Sequence, residues 1–134
     1  MFVRRLVSGV LVADVAGLAV VIATGSPISA GIDDEWFFLD QVHTLSKDTL
    51  GVTPAYVGQN IGTHVDILLG MDIMKKFYVT VDLRDNRISF GPASPIDMFS
   101  NRWVGAERIP LHDLVGTPIC PCTIEGKKAE LYLD

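Results

Sequence analysis

The side chains able to carry chemistry are few, and most stand alone. His43, His64 and His112 are single and widely spaced, which is not the pattern of a metal site, and no metal or cofactor is expected. Cys120 and Cys122 flank Pro121, and two cysteines exclude both a disulfide framework and a four-cysteine zinc site. On a strand they would share a face where a disulfide between them is strained, so they read as reduced thiols. Among the acids, Asp72 reads as a charge near a helix start and Asp82 as a strand-face residue. Asp134 follows the apolar Leu131-Tyr132-Leu133. A second apolar run, Val20-Val21-Ile22, ends at Ala23 and leads into Thr24-Gly25-Ser26, a glycine flanked by two hydroxyls. Lys75-Lys76 and Lys127-Lys128 read as solvated charges on a helix and a turn.

The elements that must position these residues fit into little more than one domain, since the chain has 134 residues. Apolar residues make up 49 % and charged residues 20 %, enough burial to offset the entropy of ordering, so a disordered tail is excluded. Eleven basic residues against 16 acidic ones give a net charge of −5 with no Lys/Arg stripe, which argues against a nucleic-acid partner. Asp33-Asp34-Glu35 could start a short helix over residues 36–42, and Thr53-Pro54 begins another short segment. Val65-Asp66-Ile67-Leu68-Leu69-Gly70 reads as a buried strand ended by glycine, followed by helical spacing over residues 71–77. Residues 78–83 and 87–90 flank the turn Arg84-Asp85-Asn86, and residues 119–124 and 128–133 flank Glu125-Gly126-Lys127; both read as hairpins. Gly91-Pro92-Ala93-Ser94-Pro95 has the composition of a linker, which divides the chain into residues 1–95 and 96–134. The second part has 39 residues, near the ~40 below which a chain rarely folds alone, so its strands must pair with the first part or with another copy.

Residues 1–30 admit two readings. Arg4-Arg5, an apolar run over 6–23 and the small residues before Gly31 resemble a secretory signal. As a membrane span the run is poor, because Asp14 near its middle costs roughly 2.5–3.5 kcal/mol at a helix centre. The other reading is a β-hairpin, Val10-Leu11-Val12-Ala13 and Leu18-Ala19-Val20-Val21-Ile22 around a turn containing Gly17. An internal repeat favours the hairpin, for residues 10–23 and 121–134 share the order strand, short glycine-containing turn, strand. The two readings leave the location open: cytoplasmic, or exported if residues 1–30 act as a signal.

A strand ending in two hydrophobic residues and an acid, then Thr-Gly-Ser or Thr-Gly-Ala, is the catalytic loop of aspartic proteases. Ala23-Thr24-Gly25-Ser26-Pro27-Ile28-Ser29 matches that loop except at its first residue. Val65-Asp66-Ile67-Leu68-Leu69-Gly70-Met71-Asp72-Ile73-Met74, with Val79-Thr80-Val81-Asp82-Leu83 and Arg87-Ile88-Ser89-Phe90, resembles the C-terminal part of retropepsin-like domains. The resemblance covers residues 9–91 as one repeat and 110–134 as the start of another. It is similar to bacterial proteins with two tandem retropepsin-like repeats, the second cut short. It implies an all-β fold: a retropepsin-like β-barrel lobe with a short helix after Leu68-Leu69-Gly70, plus a C-terminal hairpin beginning a second lobe. In that family the hydrophobic-hydrophobic-Gly segment packs around the catalytic loop.

The implied activity is endopeptidic hydrolysis by two aspartates that share one proton across a pseudo-twofold axis, one acting as base and the other as acid. By this resemblance Thr24 braces the paired loops, Gly25 admits close backbone amides, and Ser26 completes the loop. Ala23 stands at the position of the missing acid, and Asp134 is the candidate for the other, without the Thr-Gly that would hold it. The resemblance thus implies a catalytically deficient family member. Its partners would be a peptide or protein substrate if it is active, and a second lobe or a second copy of the chain. Only 44 residues (26–69) separate Gly25 from Gly70, so a full substrate-covering flap is not expected. Two other readings compete: a non-catalytic interaction or dimerisation module of the same fold, and a secreted binding protein lacking its first thirty residues.

Overall fold

The computed structural model describes residues 2–7, 10–82, 84–91, 111–114 and 116–132. They form an all-β architecture, and its centre is built from hairpins that β-branched runs make unavoidable. β1 (Phe2–Val7), β2 (Val10–Val15) and β3 (Leu18–Ile22) form an antiparallel meander. Residues 10–22 therefore adopt the hairpin reading. β4 (Ala30–Gly31), the hairpin β5 (Glu35–Phe38) and β6 (Gln41–Thr44), and α1 (Pro54–Ile61) follow. The chain then returns through β7 (Ile67–Leu69) and α2 (Met71–Met74) to the hairpin β8 (Tyr78–Asp82) and β9 (Arg87–Gly91). A separate three-stranded sheet holds β10 (His112–Leu114), β11 (Thr117–Ile124) and β12 (Lys127–Tyr132).

The main sheet has the order β4-β7-β3-β2-β1-β9-β8, and only the β3–β7 pair is parallel. Its centre is buried on both faces. Ala13, Val20, Ile22, Ile67 and Leu69 meet Trp36, Phe38, Leu45, Ile73 and Met74 on one side. Val12, Ala19, Val21 and Leu68 meet Ala30, Val65 and the α1 residues Val57 and Ile61 on the other. A strand covered on both faces needs a continuous apolar run, which is why Ile67-Leu68-Leu69 shows no alternation. α1 begins where Thr53 Oγ1 accepts the Tyr56 N–H at 3.1 Å, with Pro54 in its first turn, and ends at Gly62 with φ +72°.

Three expectations need correction. The barrel does not close among the described residues, because the edge strands β4 and β8 do not pair. β4 has only two residues, and the β5–β6 hairpin and α2 cover the face a barrel would enclose. The helix expected over 36–42 is the β5–β6 hairpin, with Trp36 opposite His43 and Phe37 opposite Val42. Its turn, Leu39-Asp40, places both residues at positive φ (51° and 60°), a type I′ geometry that right-twisted hairpins prefer. The helix expected over 71–77 stops at Met74, where Lys76 and Phe77 bond back three residues to Ile73 and Met74 and tighten the chain into turns. The linker after Gly91 and the stretch up to Pro110 lie outside the described residues.

The β2–β3 and β11–β12 hairpins use the same turn. Ala16-Gly17 and Glu125-Gly126 both have two positive φ values, 51° and 84° against 49° and 78°. Alanine has no local hydrogen bond to offset the left-handed conformation, whereas asparagine does. Ala16→Asn is therefore expected to raise stability by about 0.5–1 kcal/mol, read as a higher urea midpoint at unchanged slope. A lower midpoint would show that the turn is not the type I′ described.

Candidate functional site

Residues 23–29 leave the buried end of β3 and fold back against the segment that joins β7 to α2. Main-chain bonds fix the loop at both ends. The Ala23 N–H donates to Leu69 O at 2.9 Å, and the Ser26 N–H closes a turn on Ala23 O at 3.0 Å. The Met71 and Asp72 N–H groups, free at the start of α2, donate to Ser26 O (2.8 Å) and Pro27 O (3.2 Å). The loop carbonyls thus cap α2, and this is possible only because Gly70 has no side chain. A Cβ at Gly70 would lie 2.6–2.8 Å from Ile28 O, Ile28 C and Ser26 O, all backbone.

Two side chains complete the brace. Ser29 is fully buried; its hydroxyl accepts the Gly70 N–H at 2.8 Å and donates to Asp72 Oδ1 at 2.6 Å. Ser26 Oγ donates to Ile28 O at 2.9 Å and lies 2.5 Å from Oγ1 of buried Thr49. The Ser26 hydroxyl has one hydrogen to give, so Thr49 is the donor in that second bond. Gly116, between β10 and β11, abuts the same loop, since a Cβ there would come within 3.0 Å of Pro27 Cβ.

The structure brings Ala23, Thr24, Gly25 and Ser26 into one turn, half-buried, on the wall formed by Leu68, Leu69 and Gly70. Asp134 lies outside the described residues. Asp72 is in the first turn of α2, as read from the sequence, and also receives the Ser29 hydroxyl. Asp82 does more than face outward from its strand: Oδ1 accepts the Arg84 and Asp85 N–H groups at 3.1 Å each and shapes the β8–β9 turn. The β5–β6 hairpin points away from the loop. Its tip shares a groove of about 570 Å³ with Asp14, Ala16, Ile88 and Phe90, at the opposite end of β3 from Ala23. Ser29 lay within the matched loop without a role of its own, and Thr49 and His43 carried no motif signal; their burial in the folded chain marks them.

At the start of the β3–β7 pair, Asp66 extends the ladder with its side chain. Its Oδ2 accepts the Ala19 N–H at 2.8 Å, and its Oδ1 lies 2.7 Å from His64 Nε2. Burial opposes ionisation of Asp66, but the Ala19 amide and His64 outweigh it and hold the carboxyl below its ordinary value. A lowered carboxyl contributes stability above the unfolded value of about 3.9, lost as pH falls through the folded one. Asp66→Asn is expected to flatten the loss of stability below about pH 4, measured by urea titrations at successive pH values. An unchanged acid limb would show that Asp66 carries none of it.

Among the described residues no group of three or more His, Cys, Asp or Glu could hold a metal, and no helix is long and apolar enough to cross a membrane. Cys120 and Cys122 are free and partly buried. The loop offers hydroxyls and amides, and at its head a methyl group, so residues 23–29 hold no carboxyl group. Comparison of the chain with models of known families, with curated proteins and with solved structures returns no match.

Proposed function

We propose that the chain is a retropepsin-like lobe of the aspartic endopeptidase type whose own loop carries no acid, so that it does not hydrolyse peptides unaided. The observation that carries this reading is the loop itself: residues 23–29 strapped by main-chain bonds to Leu69, Met71, Asp72 and Ser46, with Ala23 at its head. Such bracing is what a dyad needs to hold a carboxylate in place, and here it holds a methyl. Ala23 packs against the core that holds Val21 and Leu68.

The test is peptide hydrolysis across roughly pH 3–7, bracketing carboxylate titration, with and without an inhibitor bearing a transition-state-mimicking hydroxyl. The unmodified chain is expected to be inactive, because losing one member of a unit that acts together removes about 10⁴-fold or more. Ala23→Asp alone is expected to stay inactive, since it supplies one carboxylate where a dyad needs a second, equally braced loop. Ala23→Asp in a chain extended by the rest of a second lobe is expected to gain activity on the acid side, with the pH dependence of a shared proton. Inhibitor-sensitive cleavage by the unmodified chain would place the catalytic acid elsewhere and overturn the reading.

A further inference from the structure

The β5–β6 hairpin is tied to β4 at its base, where the Ser46 N–H donates to Ser29 O and Ser46 O accepts the Gly31 N–H, and beyond that base its strands are held by side chains. Among the described residues its two strands form a sheet with each other alone. Its inner face presents Trp36, Phe38 and His43, all at least nine-tenths buried. Trp36 and Phe38 stack with centroids 4.4 Å apart, and Phe38 meets Phe90 and Phe77 edge-on at 5.2 and 6.1 Å. The His43 ring lies inside this enclosure, 6.1 Å from Phe77, 6.2 Å from Phe38 and 6.5 Å from Trp36.

The imidazole is only 2 % exposed, and its two nitrogens differ. Nε2 lies 3.1 Å from Phe38 O, and a carbonyl can only accept, so Nε2 carries the hydrogen. Nδ1 is then bare. It is the one buried side-chain nitrogen or oxygen among the described residues with no hydrogen-bond partner. The enclosure therefore fits the neutral ring and not the cation. Protonation would create a buried N–H without an acceptor and a charge among hydrocarbon rings, both costly. Rings tilted and beyond 6 Å return little cation–π attraction.

The rings around the imidazole are those of Trp36, Phe38 and Phe77, and Nδ1 has no hydrogen-bond partner to offset that cost. β5 presents Trp36 and Phe38, the turn before β8 presents Phe77, β9 presents Phe90, and the rest of this core is aliphatic. Glu35 and Asp40 on the hairpin, and Lys75 and Lys76 beside Phe77, are exposed. We propose that protonation of His43 releases the β5–β6 hairpin from the sheet, which makes the hairpin an acid-triggered latch. The inference is independent of the protease reading, because neither the loop nor Ala23 takes part.

Trp36 reports on the latch directly. In a Trp103→Phe chain it is the single indole, and its emission is followed from pH 8 down to about 5. The expected result is a reversible red shift with loss of the near-ultraviolet circular dichroism of the aromatic cluster, while the far-ultraviolet strand signal persists. His43→Phe, which fills the space with a ring that cannot charge, is expected to abolish the shift. His64→Gln, which removes the exposed partner of Asp66, is expected to leave it intact. Emission that stays flat across this range, or a His43→Phe chain that shifts at the same pH as its parent, would overturn the proposal. If His43→Phe does not fold, imidazole NMR on the otherwise unaltered chain decides. His43 must begin as the Nε2–H tautomer and protonate together with the Trp36 change; titration of either without the other overturns it.

Discussion

Gly70→Val is expected to lower the unfolding free energy by roughly 2–4 kcal/mol through overpacking. The cause is contact with backbone rather than with adjustable side chains. A Cβ at this position would sit 2.6 Å from Ile28 O, 2.7 Å from Ile28 C and 2.8 Å from Ser26 O. None of these atoms can swing aside by a rotamer change. To make room, the loop must part from the β7–α2 segment, which stretches the bonds from Met71 and Asp72 to Ser26 and Pro27. Gly70→Ala already meets the same three atoms, and the branched side chain of valine adds to the clash. The measurement is urea unfolding of both variants against the parent, with the valine form falling furthest. A valine variant within about 0.5 kcal/mol of the parent would mean that the two segments do not cross as closely as described. The same substitution is expected to increase protease cleavage within residues 23–29, because the strap is what keeps this half-buried loop closed.

The parts of the fold that were legible share one property: local chemistry and tertiary need agree. Val10-Leu11-Val12-Ala13 and Leu18-Ala19-Val20-Val21-Ile22 are strand-forming on their own, and Gly17 accepts the positive φ that the turn between them demands. Asn86, with φ 55°, does the same for β8–β9, and Gly126 for β11–β12. The run Ile67-Leu68-Leu69-Gly70 was legible as a buried crossing because glycine at its end has no local purpose; only a close neighbour explains it. The β5–β6 hairpin was hidden for the opposite reason. Its turn is Leu39-Asp40, with no glycine or asparagine, so nothing in the sequence announces two consecutive positive φ values. Phe37 is exposed between buried Trp36 and Phe38, so three aromatic residues in a row erase the alternation that would mark a strand. Asp33-Asp34-Glu35 before them then suggests a helix start that the chain does not use. In the candidate site the division is similar. Thr24, Gly25 and Gly70 were visible with a role, whereas Ser29 was visible only as the end of the matched loop and Thr49 not at all, because a small hydroxyl gains its meaning only from a partner far along the chain.

Ser29 carries the second large expected effect. It lies 41 residues from Gly70 and 43 from Asp72, is fully buried, and satisfies both. Ser29→Ala removes one oxygen and leaves two groups without their partner: the buried Gly70 N–H and one oxygen of the Asp72 carboxylate. A buried donor left unsatisfied costs about 1–3 kcal/mol, and a bond to a charged acceptor is worth about 1.5–3. Asp72 is only part-buried, and Oδ1 keeps the Ile73 N–H at 2.9 Å, so solvent and that amide recover part of the second loss. The net expectation is a loss of roughly 2–3 kcal/mol. Removing the carboxylate as well separates the two contributions, because Asp72→Ala takes away the acceptor and leaves the Gly70 bond in place. In the double-mutant cycle the Ser29–Asp72 coupling is expected to be about 0.5–1.5 kcal/mol, and the remaining cost of Ser29→Ala belongs to the Gly70 N–H. Coupling near zero with a full Ser29→Ala loss would assign the whole effect to Gly70 and reduce Asp72 to a charge at the start of α2. A Ser29→Ala chain as stable as its parent would remove Ser29 from the brace altogether, and the main-chain bonds and the Ser26–Thr49 pair would then hold the loop that places Ala23.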